Sequence, residues 1–78
     1  MLLVRYFAGA RAAAGTPEEK VEAGTLADLM AHISADRPRL AKVLPACAFL
    51  VDGLAWHDRA APLPATATVD VLPPFAGG

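Results

Sequence analysis

Over the first seven residues the side chains sort by parity: Leu2, Val4 and Tyr6 fall on one side of an extended chain, and Leu3, Arg5 and Phe7 on the other. This predicts a strand over Leu2 to Phe7, with Arg5 marking the wetter face and Leu2, Val4 and Tyr6 turned to a core. Ala8 to Gly15, rich in alanine and glycine, is too long for a tight hairpin and has room for one turn of helix. From Thr16 to Ala23, Glu18, Lys20 and Glu22 point outward and Val21 inward, a polar strand suited to a sheet edge. Then the period changes. Leu26, Leu29, Met30 and Ile33 recur at helical spacing, and Thr25 with Asp28 resembles a capping box, so Thr25 to Arg37 is predicted to be a helix stopped by Pro38. Its apolar stripe is read as the face laid on a sheet. Arg39 to Leu44 adds a short helical turn before Pro45.

In the second half, Cys47 to Val51 reads as a strand, Asp52-Gly53 as a two-residue hairpin turn, and Leu54 to Trp56 as the antiparallel return. A loop through Pro62 and Pro64 leads to the last strand, Val69 to Leu72, with Val69 and Val71 on the core face and Asp70 and Leu72 outward. The predicted class is α+β: a mixed sheet of four to five strands with one main helix packed on one face. Its first and last strands lie side by side and parallel. In that arrangement Phe7, Leu72 and Leu3 share the face the helix leaves open, with Phe75 at the root of the C-terminal segment, and form an apolar docking patch unless a loop covers them.

Beyond Leu72 the pattern ends. Pro73 and Pro74 have no N–H to donate, so strand pairing stops there, dividing the chain into a domain over 1–72 and a tail over 73–78. Extended, Pro73-Pro74-Phe75-Ala76-Gly77-Gly78 reaches on the order of 20 Å. A glycine backbone passes through a narrow channel and leaves its carbonyl carbon open to attack from either face. The competing expectation is a frayed end with no role.

Composition narrows the chemistry. At 78 residues the chain is one small domain, and because 18 of its apolar residues are alanines its core is modest. The net charge is −1 and the 7 Lys and Arg are scattered, which speaks against nucleic acid as a partner. No apolar run is long enough to span a bilayer, no signal-peptide pattern opens the sequence, and one cysteine cannot form an internal disulfide, so a cytoplasmic location is expected without a membrane partner.

His32, His57 and Cys47 match no metal-ligand spacing, and no metal site is expected. Cys47 in an apolar strand reads as a small buried hydrophobe. Gly9 and Gly15 do not form a phosphate loop, and Asp52, Asp58 and Asp70 make no evident carboxylate pair. Arg11 either meets a partner's carboxylate or is solvated. With no catalytic residues of its own in view, the reactive atom left is the carboxyl carbon of Gly78.

Two stretches carry a resemblance. Val4-Arg5-Tyr6-Phe7-Ala8 followed by Arg11 and Gly15, together with Val69-Asp70-Val71-Leu72-Pro73-Pro74-Phe75-Ala76-Gly77-Gly78, resembles the ubiquitin-like sulfur carriers. The nearer branch is the small subunit of molybdopterin synthase; the thiamine-pathway carriers are cousins. The resemblance implies a ubiquitin-like β-grasp fold and a cycle run by partners. In that cycle an E1-like enzyme spends ATP to adenylate Gly78, a sulfur donor enzyme converts the adenylate to a thiocarboxylate, and a large catalytic subunit uses that sulfur to build molybdopterin. No cofactor is bound by the carrier itself. It implies that Phe7 and Leu72 face the partner, on the side where parity also puts Leu3; with Arg11 these are the candidate partner-binding residues, and Gly77, Ala76, Phe75, Pro74 and Pro73 are the candidates to thread into the partner's site.

The sequence departs from the family at Pro64-Ala65-Thr66-Ala67-Thr68, where a Gly-Asp type of turn is usual, and at Asp52, where Asn is common. Two alternatives stay open at this point: a carrier serving thiamine or another sulfur metabolite, and a protein modifier joined to lysines through Gly78.

Overall fold

A computed structural model describes residues 1–74. Strand β1 (Leu2–Tyr6) buries Leu2, Val4 and Tyr6, as its alternation predicts. It pairs antiparallel with β2 (Glu18–Val21) on one side and parallel with β5 (Thr68–Leu72) on the other. The hairpin of β3 (Ala48–Val51) and β4 (Leu54–Ala55) completes a five-stranded sheet in the order β2-β1-β5-β3-β4. The first and last strands in sequence are therefore parallel neighbours within the sheet, which is the relation expected.

Three helices supply the other half of the core. The longest, α2 (Leu26–Ser34), buries Leu26, Leu29 and Ile33. Thr25 caps it, its hydroxyl oxygen accepting from the Asp28 N–H at 3.1 Å, while Asp28 reaches back to the Gly24 N–H at 3.2 Å, one residue before the position a strict capping box would use. The Ala27 N–H, which has no partner within the helix, donates to the Arg59 carbonyl of the long loop.

The prediction that this helix runs to Arg37 and is stopped by Pro38 needs correcting. It ends at Ser34, Asp36 takes φ 59°, and Pro38 opens α3 (Pro38–Val43), where a missing N–H costs nothing. A single 3₁₀ turn, Leu44–Ala46, joins α3 to β3. Ala8 to Gly15, expected to give one turn of helix, gives the seven-residue α1 (Ala8–Ala14), which buries Ala10 and Ala14 and closes on Gly15 at φ 80°.

Asp52 and Gly53 take φ 49° and 83°, the left-handed pair that a two-residue hairpin needs. Asp52 does more than turn the chain. Its carboxylate accepts from the Thr68 N–H at 2.9 Å and its own N–H donates to the Thr68 carbonyl at 2.8 Å, pinning the hairpin to the start of β5. The unusual Pro64–Thr68 segment closes as a tight turn, the Ala67 N–H donating to the Pro64 carbonyl, and tucks Ala67 beside β1 through a bond from the Leu3 N–H.

Glu19 sits on the inward parity of β2, where sequence reading assigned only Val21. It is held there by two partners far along the chain. Arg37, at the corner between α2 and α3, grips its carboxylate with two nitrogens, and the Tyr6 hydroxyl donates to it. Arg37 holds the Glu19 carboxyl below its ordinary value of 4.5, with partial burial working against it and Tyr6 adding to the lowering. Burial, and then the bond to Glu19, push the Tyr6 phenol up.

A depressed carboxylate contributes stability above its unfolded value and loses it as pH falls through the folded one. Urea unfolding at two pH values is therefore expected to find Glu19→Gln less stable than the native chain at pH 7, by about 1–3 kcal/mol. At pH 3 the gap should narrow. A gap unchanged with pH would mean that Glu19 is not ionised in the fold.

Candidate functional site

The sheet face turned away from the helices is built from the outward parity of every strand. The registers place Arg5 beside Glu18 on β2 and Asp70 on β5, Asp70 beside Leu50 on β3, and Leu50 beside Ala55 on β4. On one side of this row lie Leu3 and Thr68; on the other, Leu72 beside Ala48. The Phe7 N–H donates to the Val71 carbonyl at 3.2 Å, continuing the parallel register so that Phe7 stands beside Leu72. Leu3, Phe7, Leu50 and Leu72 are all half-buried. Among the described residues no helix or strand is laid over them.

The patch differs from the predicted one in its middle. Asp70, expected to point outward, is on the outward face but only 7% exposed. The cause is Arg5, whose Nε and Nη2 donate to its two carboxylate oxygens at 2.7 and 3.0 Å. Asp70 in turn raises the Arg5 pKa. The Arg5 guanidinium carbon also lies 5.8 Å from the centre of the Phe7 ring, within cation–π range. Leu3 is thus separated from Phe7 and Leu72 by an ion pair. Leu50, which sequence reading did not single out, joins them. Its parity opposite Phe49 and Val51 was the available signal.

At the end of the face the chain turns sharply at Ala8, which takes φ 49°, and enters α1. Arg11, on the first turns of that helix, is exposed and directs its Nε at the Tyr6 carbonyl, 3.4 Å away. It therefore stands at the same end of β1 as Phe7. At the corresponding end of β5, pairing stops at Leu72; Pro73 is half-buried and Pro74 exposed. Phe75, Ala76, Gly77 and Gly78 lie outside the described residues.

Elsewhere the chemistry is sparse. Cys47 is buried, donates to the Val43 carbonyl, and has its thiol pKa pushed up by burial, consistent with a small core residue. His32 pairs with Asp28 one helical turn away at 3.4 Å. No group of three His, Cys, Asp or Glu able to hold a metal occurs among the described residues. An open cavity of about 280 Å³ at the β3–β4 edge is lined by Cys47, Phe49, Leu50, Trp56, His57 and Arg59, and the Cys47 thiol in it is bonded to the Val43 carbonyl and not to His57. Among the described residues no helix is long and apolar enough to cross a membrane.

Comparison with known proteins locates this architecture. A model of the ThiS family matches residues 4–78. Comparison with the curated proteins finds no match. Among solved structures, a protein described as molybdopterin converting factor subunit 1 from Pyrococcus furiosus is similar with TM-score 0.82 at 24% identity, over 95% of this chain and 97% of that one. Small archaeal modifier protein 1 from Methanosarcina acetivorans is similar with TM-score 0.85 at 23% identity, over 99% and 95%. A chain from the complex of subunits 1 and 2 of molybdopterin-converting factor from Helicobacter pylori is similar with TM-score 0.72 at 23% identity, over 99% and 97%. At these identities the likenesses establish the fold, the ubiquitin-like β-grasp.

Proposed function

Because the chain belongs to the ThiS family, we propose that it is a sulfur carrier for molybdopterin synthesis, docking by its open sheet face on a large catalytic subunit and delivering sulfur from the carboxyl group of Gly78. The observation that carries this reading is the junction at Leu72. There β5 ends with Leu72 and Phe7 side by side on the uncovered face, and Pro73 and Pro74 prevent the chain from continuing in the sheet. In this reading a domain over 1–72 presents a tail over 73–78. The likeness to a subunit that forms a complex with a second one supports a large-subunit partner.

In this reading the chain contributes an acyl group and its partners contribute the chemistry. A carboxylate is unreactive toward nucleophiles. Attack of its oxygen on ATP in an E1-like activating enzyme gives an acyl adenylate and releases pyrophosphate. Sulfur supplied by a donor enzyme at the oxidation level of sulfide then attacks the carbonyl carbon and displaces AMP, with no electrons exchanged, leaving a thiocarboxylate whose sulfur is a competent nucleophile. Gly77 and Gly78 let the tail pass through a narrow channel, with Pro73 and Pro74 stiffening its root and Phe75 and Ala76 between.

A second reading, a modifier joined to lysines through Gly78, is favoured by the likeness to small archaeal modifier protein 1. Intact-mass measurement of the protein isolated from its own cells, with fragmentation at the C-terminus, separates the two. Exchange of one oxygen for one sulfur on Gly78 is the result expected. Lysine-linked adducts with an unmodified carboxylate would replace the carrier by the modifier. Copurification with a thiamine-synthesis enzyme in place of the large subunit would move the carrier to another pathway.

A further inference from the structure

An apolar docking face with an ion pair at its centre raises a question of partner choice. Both oxygens of Asp70 are occupied by Arg5, and the two side chains are unequally exposed, 46% for Arg5 and 11% for Asp70. A visitor to this face therefore meets the guanidinium, with the carboxylate beneath it. Nε and the inner edge of Nη2 are taken, while Nη1 has no acceptor among the described residues. Glu18 faces Arg5 across the β1–β2 register but is exposed and makes no ion pair with it. The Phe7 ring beside the guanidinium limits the directions in which it can swing.

Resting on the docking reading above, we propose that Arg5 and Asp70 decide which partner the face accepts: the large subunit must bring a carboxylate to the free outer edge of Arg5, inside a rim formed by Phe7, Leu72, Leu50 and Leu3. In the free chain, water satisfies the outer N–H groups. Docking removes that water, and a guanidinium N–H buried without an acceptor is costly. The outer edge offers parallel donors that match the two oxygens of a carboxylate, whereas a lysine-bearing or wholly apolar partner leaves them orphaned. The ion pair thus admits a partner with an acidic group at one position and rejects partners without it.

The test replaces both members, since losing Arg5 alone strands Asp70 in a buried position. Arg5→Leu/Asp70→Leu is expected to melt no lower than the native chain, because an apolar pair of similar volume commonly substitutes for a partly buried ion pair. Titrated calorimetrically into the purified large subunit from the same organism, it is expected to bind about ten- to a hundredfold more weakly than the native chain. Neutralising one acidic residue of the large subunit, Asp to Asn or Glu to Gln, should bring the two affinities together. Equal or tighter binding of the double-leucine chain overturns the proposal, and so does weakened binding that couples to no acidic position. If the double-leucine chain does not fold, Arg5→Lys keeps the charge and loses the forked edge: weakened docking supports the proposal, and unchanged docking sinks it. A native chain that fails to bind the large subunit at all overturns the docking reading itself, a result distinct from any of these.

Discussion

Removing Gly78 is expected to abolish sulfur transfer while leaving the domain folded. The truncated chain still ends in a glycine carboxylate, that of Gly77, so the chemistry of the terminal group is unchanged and only its reach differs. One residue fewer draws the carboxyl carbon back by roughly 3.3–3.6 Å in an extended tail. Misplacing a reacting group by about 1 Å can cost on the order of 10²-fold in rate, so the loss should exceed about 10²-fold and in practice leave no product above background. Every core residue among the described residues lies between Leu2 and Val71, so the melting temperature is expected not to move. Single-turnover thiocarboxylation by the activating enzyme together with the sulfur donor, followed by mass, is the measurement. A fully active truncation would reduce Gly77 and Gly78 to a frayed end, and an unfolded one would give the tail a structural role that the sulfur-carrier reading does not contain.

Much of the body was legible from local rules because those rules agreed with the fold. Alternation in Leu2 to Tyr6 gave β1, the 3.6-residue stripe with Thr25 gave α2, and Asp52-Gly53 gave the hairpin; the parallel pairing of β1 and β5 came from the order of elements. The family and fold implied by the two ends of the chain are those the comparisons establish. The misses among the helices share a cause, the absence of local contrast. In Ala8–Ala14 the buried Ala10 and Ala14 are no larger than the Ala8, Gly9, Ala12 and Ala13 around them, and Arg11 alone marks the outer side, so the amphipathic face of α1 has almost no pattern to read. Pro38 reads equally as a stop or as a first helical residue, and only the three-residue break at Ala35 to Arg37 decides.

The charged members of the site were illegible for a different reason. Arg5 and Asp70 are 65 residues apart and meet only once the β1–β5 register is set. Each taken singly is a charge on an outward strand position, and the default expectation for such a charge is solvation. Glu19 is the same case on the inward face, explained by Tyr6 and Arg37 and by nothing near it in sequence. Parity assigns a residue to a face but says nothing of what lies next to it across the sheet. The expectation that Leu3, Phe7 and Leu72 share a face holds, and their being one uninterrupted patch does not, because Arg5 occupies the position between.

The same parity separates stability from docking at adjacent residues, and Leu72→Asp uses it. Val71 faces the core at 0% exposure, while its neighbour Leu72 is half-buried beside Phe7 on the open face. A carboxylate at position 72 stays in contact with water in the free chain, so the cost to folding should be about 1 kcal/mol or less. In a docked complex it is desolvated against an apolar surface, two residues from Asp70, whose oxygens are already committed to Arg5. Placing an unpaired charge among the apolar side chains that surround the ion pair forfeits the contact and adds the desolvation penalty, which puts the loss in the hot-spot range and weakens binding to the large subunit by at least about a hundredfold. Leu54→Asp is the matched control: the same chemical change at the β3–β4 hairpin, on a side chain 70% exposed, should alter neither melting nor docking. Calorimetric titration of both variants, with thermal melts alongside, decides. Docking lost in Leu72→Asp and kept in Leu54→Asp assigns the interface to the open face, and equal docking in both would move it elsewhere on the domain.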